Sequence, residues 1–148
     1  MDIDVSVLNR IYESLISENK IYFFEDTDID GSIQKHPHIC VKVKEQVLVL
    51  STVSSQVSTT RARLIEFGVA TESEMPVIVP SSLNKLEKQS YVECDQAFLC
   101  DKDVFAEHQS KGLIWDTGGK LAKCDLQAII SGILNSDKVA EEIKNLFK

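Results

Sequence analysis

Residues 39–53, ICVKVKEQVLVLSTV, constrain the fold more than any other stretch of this chain. Aliphatic and polar residues alternate up to Lys44, and a second apolar run starts at Val47, so the segment reads as two strands meeting in a short turn at residues 44–46. Val41 and Val43 are expected on one face and Lys42 and Lys44 on the other, the periodicity of a half-buried hairpin. Two strands alone are only marginally stable in water, so the rest of the chain must supply elements to cover them.

Several such elements are legible. Residues 20–26, KIYFFED, form an aromatic-rich strand, and residues 26–37, DTDIDGSIQKHP, read as a loop from their acids, Gly31 and Pro37. RARLIEF reads as a strand or a short helix, MPVIVP as a short buried strand, SSLNKLEKQ as a turn, and SYVECDQAFL as one further strand. Helical spacing places Val7, Leu8, Ile11, Leu15 and Ile16 on one side of residues 5–18, and Leu121, Leu126, Ile129, Ile130 and Ile133 on one side of a later helix. A short helix is expected at residues 101–106 with Asp101 as its N-cap, GGK as a break, and Ser136 as the cap of a last helix. The pattern is mostly β with helices towards the ends, in the manner of a small, strongly curved sheet.

The chain has 148 residues, enough for one domain with a modest core, and 43% of them are hydrophobic. No apolar run approaches the roughly 18 residues needed to cross a bilayer. The acidic start, MDIDVSVLNR, lacks the basic-then-apolar order of a secretory signal, so a cytoplasmic location is expected. Cys40, Cys94, Cys100 and Cys124 show no metal-ligand spacing and read as free thiols, with neither metal nor cofactor expected. The net charge of −7 is unevenly spread: residues 1–34 carry −6, whereas residues 35–63 carry +4. A basic segment of that kind can attract phosphate inside an otherwise acidic shell.

From residue 20 to residue 134 the order of motifs resembles the MazF/PemK/Kid toxin family. The segments that carry the resemblance are IYFFE, the loop GSIQKHP, the strand VLVLSTVSS, the stretch MPVIVPSSLNKLEKQSYVECDQ, the pair Asp101 and Lys102, and Gly119-Lys120-Leu121 before a helix. The resemblance implies an SH3-like small barrel of the MazF/PemK type over residues 20–134, flanked by a helical extension at residues 1–19 and an added helix at residues 135–148. It also implies a toxin endoribonuclease that cuts single-stranded RNA without a metal, is usually a homodimer, and is held by a protein antitoxin.

Cleavage of this kind needs a base for the ribose 2′-hydroxyl, an acid for the leaving oxygen, and donors around the phosphorane. His36 stands just before proline, where the family usually carries arginine, and an imidazole exchanges protons near neutral pH. Ser54 is the preferred hydroxyl in the Ser/Thr segment, with Thr52 and Ser55 as alternatives for phosphate contact. Asp95 and Gln96 match the family's acidic–amide pair, giving His36, Ser54 and Asp95 as the expected catalytic set. Lys35, His38, Thr52, Ser55, Arg61, Arg63 and Gln96 are expected to bind substrate. Phe98 stands where an Asp-Gln-x-Arg motif would place arginine, and Glu93 adds an acid beside Asp95. Those departures support a second expectation, a non-catalytic protein- or RNA-binding member of the same fold.

Overall fold

A computed structural model of the chain describes residues 4–25, 36–55 and 61–148. Helix α1 (Val5–Leu15) starts at Asp4, whose carboxylate accepts the Ser6 N–H at 2.8 Å. Strands β1 (Lys20–Phe24), β2 (His36–Lys44) and β3 (Val47–Ser54) follow, then helix α2 (Ala62–Glu66) and the two-residue strand β4 (Val77–Ile78). Strands β5 (Ser90–Val92) and β6 (Phe98–Asp101) lead into helix α3 (Lys102–Ser110), strand β7 (Ile114–Lys120), and helices α4 (Lys123–Asn135) and α5 (Glu141–Asn145). Among the described residues no helix is long and apolar enough to cross a membrane.

The seven strands form one mostly antiparallel sheet in the order β4-β5-β3-β2-β1-β7, curled into a half-barrel, with β6 also paired to β3. The expected β2–β3 hairpin is present, and Glu45 takes the positive φ (53°) that tight hairpin turns use. Its facing differs from a simple alternation. Cys40 pairs with Leu50, but Lys42 pairs with Val49, so Val41 is an extra residue in a β-bulge. Val41 is therefore buried in one core cluster, while Val43 packs against the other.

Both faces of the sheet are covered, which explains why six consecutive residues of β3 are buried. Ile21, Ile39, Val49, Val53 and Val92 pack with Ile129 and Ile133 of α4 and with Val139 and Ile143 from the C-terminal segment. On the other face Tyr22, Phe24, Cys40, Leu48 and Leu50 surround Phe105 of α3, with Ile16 completing the cluster. Phe105 has no exposed surface and stands edge-on to Tyr22, with ring centroids 5.0 Å apart.

Three local expectations are corrected. The run SYVECDQAFL is two strands, because the Glu93 N–H donates to the Thr52 carbonyl and the chain then makes a 3-10 turn at Cys94–Gln96. GGK lies within β7, where two extra residues separate the Lys20–Lys120 pair from the Tyr22–Asp116 pair. Ser136 does not cap α5, which begins at Glu141; its hydroxyl donates instead to buried Glu74 at 2.9 Å. Asp101 does cap α3, accepting the Asp103 N–H at 2.8 Å.

The curl is closed by a loop. Residues 79–89 connect β4 to β5 at one end of the sheet, yet the Lys120 N–H of β7, at the other end, donates to the Leu83 carbonyl at 3.0 Å. Gly119 permits this approach, since a Cβ there would stand 2.2 Å from the Asn84 carbonyl oxygen.

Phe105→Ala is expected to lower unfolding free energy by about 3–5 kcal/mol. Val104→Ala, at a 42% exposed neighbour, is expected to change it by less than about 0.5 kcal/mol. Urea denaturation of the two variants checks both values.

Candidate functional site

The loop between β4 and β5 borders an open cleft of about 510 Å³. Ile21 and Phe23 of β1, Pro37 of β2 and Val53 of β3 form its floor, and the loop carrying Lys85, Glu87 and Lys88 also lines it. His36 and Ser55 stand at the ends of β2 and β3 and also line it. Phe23 pairs with both Pro37 and Trp115 in the sheet, and its ring stacks on Trp115 with centroids 4.8 Å apart. The cleft thus combines an apolar floor with amines, an imidazole and a hydroxyl at its walls.

His38, expected to meet substrate, is fully buried. Its ring stacks on Phe24 at 3.9 Å and meets the edge of Phe98 at 5.9 Å. Its Nδ1 lies 3.0 Å from the His36 carbonyl, which can only accept, so Nδ1 carries the hydrogen. Its other nitrogen, Nε2, lies 3.2 Å from the Thr52 hydroxyl. Thr52 is buried with it, so this pair anchors the His36 backbone and is removed from direct substrate contact. Phe98 occupies the expected arginine position as a packing residue against this pair.

Ser54 lies two residues beyond Thr52 and pairs with Tyr91 in the β3–β5 ladder. Its hydroxyl also hydrogen-bonds the Tyr91 phenol, whose pKa burial pushes up, Ser54 lowers, and the charges of Glu93 and Asp95 raise further. Asp95 does not line the cleft. It sits in the 3-10 turn with its carboxylate 3.6 Å from the Lys138 ammonium, which also donates to the Val69 carbonyl. Burial pushes the Asp95 carboxyl above its ordinary value, Lys138 opposes this, and Glu74 adds to it. Burial, then the charge of Asp95, raises Glu93. Burial would also raise Glu74, but hydrogen bonds to Ser136 and Thr71 hold it below its ordinary value. A Cβ on Gly132 of α4 would lie 2.4 Å from the Ser73 carbonyl, so α4 is pressed directly onto this acidic corner.

The other expected contacts are dispersed. Arg61 donates from Nε to the Met75 carbonyl at 2.8 Å, and Arg63 is exposed on α2, so the two do not form one extended cationic face. Gln96 is exposed at the end of the turn, and Lys35 lies outside the described residues. Burial pushes the thiols of Cys40, Cys94 and Cys100 up to about 12, leaving Cys124 as the exposed one. Among the described residues no group of three or more His, Cys, Asp or Glu side chains could hold a metal ion.

Sequence reasoning missed Phe23, Lys85 and Lys88. The strand alternation that places Phe23 on the same face as Ile21 was available, but the passage of the 79–89 loop over β7 has no local signature. Compared with known proteins, the chain matches no family model and no curated sequence.

The raised folded-state value of Glu93 fixes the sign of a pH effect. The folded chain holds that proton more tightly than the unfolded chain, so its contribution to stability falls as pH climbs from the ordinary value of 4.5 through the raised one. Glu93→Gln is expected to raise the melting temperature at neutral pH and to leave it nearly unchanged below pH about 4. Thermal melts of both proteins across the acid range check this.

Proposed function

We propose that this chain is a MazF/PemK-like toxin endoribonuclease with an SH3-like barrel, acting as a homodimer on single-stranded RNA and held in check by a protein antitoxin. The observation that carries the reading is the position of His36. It stands at a strand end and lines a cleft that also carries two lysines and an aromatic ring.

In this reading His36 takes the proton from the ribose 2′-hydroxyl. O2′ then forms its bond to phosphorus as the P–O5′ bond breaks. The fragments carry a 2′,3′-cyclic phosphate and a 5′-hydroxyl, the latter receiving a proton. Ser55 lines the cleft, and its hydroxyl is a donor within reach of a phosphate oxygen there, whereas Ser54 is paired with Tyr91 in the ladder. Asp95, tied to Lys138 away from the cleft, acts as a positioning residue for the 3-10 turn. Substitution of the family's arginine leaves His36 without a permanent bidentate clamp, so charge stabilisation must come from other residues.

A second reading is favoured by Phe98 and Glu93. The ring of Phe98 fills the position where a guanidinium is expected, and Glu93 places a half-buried acid next to Asp95. A non-catalytic member that binds RNA or a protein fits those two departures.

Incubating wild type and His36→Ala with a mixed single-stranded RNA pool in EDTA, and mapping the new ends, separates the readings. The nuclease reading expects cleavage by the wild type and a loss of about 10²-fold or more in the variant. Absence of cleavage by a folded, antitoxin-free wild type selects the non-catalytic reading.

A further inference from the structure

The loop that brings Lys85 and Lys88 to the cleft is built with unusual care for a surface loop. Asn84 is 4% exposed and uses its whole side chain within the loop. Its Oδ1 accepts from the N–H groups of Ser81 and Leu86, each at 3.0 Å, and its Nδ2 donates to the Val79 carbonyl at 3.0 Å. Its own N–H donates to the Ser81 hydroxyl at 3.1 Å. Lys85, held between these bonds, takes φ 57°, a left-handed conformation that a long L side chain rarely adopts and that persists only where the surroundings impose it. Its side chain runs over Gly118 of β7, where an added Cβ would fall 2.9 Å from the ammonium nitrogen.

Most polar groups of the cleft are already committed. Thr117 donates to the Ile21 carbonyl at 2.8 Å, and Ser90 donates to the Lys88 carbonyl at 2.9 Å. The ammonium groups of Lys85 and Lys88 are different. Both side chains are exposed, and among the described residues neither forms an ion pair, although a carboxylate that lines the cleft, Glu87, is in the same loop. Two ammonium groups against one carboxylate leave this loop net positive in a chain of net charge −7.

We propose that Lys85 and Lys88 are the phosphate-binding arm of the cleft, neutralising consecutive backbone phosphates of a single strand whose base rests on the Phe23 ring. The assignment rests on the RNA reading given above. It supplies the charge that His36 does not, from a loop whose own hydrogen bonds hold it before ligand arrives. Because an ammonium contacts phosphate as a point charge, the arm confers affinity without base preference.

The test uses a fluorescent 2′-O-methyl RNA oligonucleotide, which cannot undergo 2′-hydroxyl attack, and measures binding by anisotropy between about 50 and 200 mM KCl. Lys85→Ala/Lys88→Ala is expected to bind about tenfold more weakly at the low-salt end, with a log–log salt slope shallower by about 1.4, since each single-strand phosphate contact contributes about 0.7. Lys85→Arg/Lys88→Arg is expected to retain the wild-type slope, as is Lys111→Ala, which removes a lysine paired with Glu107 on α3. Circular dichroism verifies that the variants are folded. An alanine variant with wild-type affinity and slope overturns the assignment, and so does a wild-type protein that does not bind this RNA. Wild type that binds with the expected lysine dependence yet never cuts unmodified RNA overturns the nuclease reading alone and leaves the arm in place.

Discussion

The structure depends on the way β3 shares its hydrogen bonds. One edge of this strand is given to β2, while the other serves β6 over Val47–Leu50 and β5 at Val53 and Ser54. The chain between β5 and β6 must therefore leave the sheet and return within a few residues. It does so through the Glu93–Thr52 hydrogen bond and the 3-10 turn that follows. Position in the sheet thus dictates where the acidic residues sit: Asp95 is lifted onto the corner facing α4 and Lys138, while Ser54 stays in the ladder beside Tyr91. An acid and a hydroxyl expected to share one site are directed to different neighbours by one branching strand.

What was legible in the sequence was local. The β2–β3 hairpin and the Asp101 cap depend on neighbours within a few residues, and so does the spacing of α4. The β2 bulge was not legible, because nothing in ICVKVK distinguishes an added residue from continued alternation until Val49 chooses its partner across the turn. The role of Ser136 was hidden for the same reason: it follows from Glu74, sixty-two residues away, needing a donor in a dry corner. From its spacing to His36, His38 is expected to bind substrate. Burial between Phe24 and Thr52 makes it instead the residue that holds the His36 carbonyl.

Charge is arranged by the same separation. The half-buried acids gather where α4 presses on the 3-10 turn, and hydrogen bonds from Thr71 and Ser136, together with the Lys138 ammonium, compensate them there. The lysines of the 79–89 loop lie on the cleft without such compensation among the described residues. A low overall isoelectric point therefore says little about the field inside this cleft, where local amines set the sign.

The closure of the curl by a loop against Gly119 has a consequence for how such a protein can diversify. Strand-to-strand closure would couple every change at the rim to the register of the whole sheet. Here the junction rests on main-chain atoms of Leu83 and Asn84 against a residue without a side chain, and the loop's own order comes from Asn84. The cleft-lining side chains of Lys85, Glu87 and Lys88 make none of those hydrogen bonds. Their chemistry can be exchanged as a cassette, altering which ligand is held while the scaffold beneath keeps its architecture.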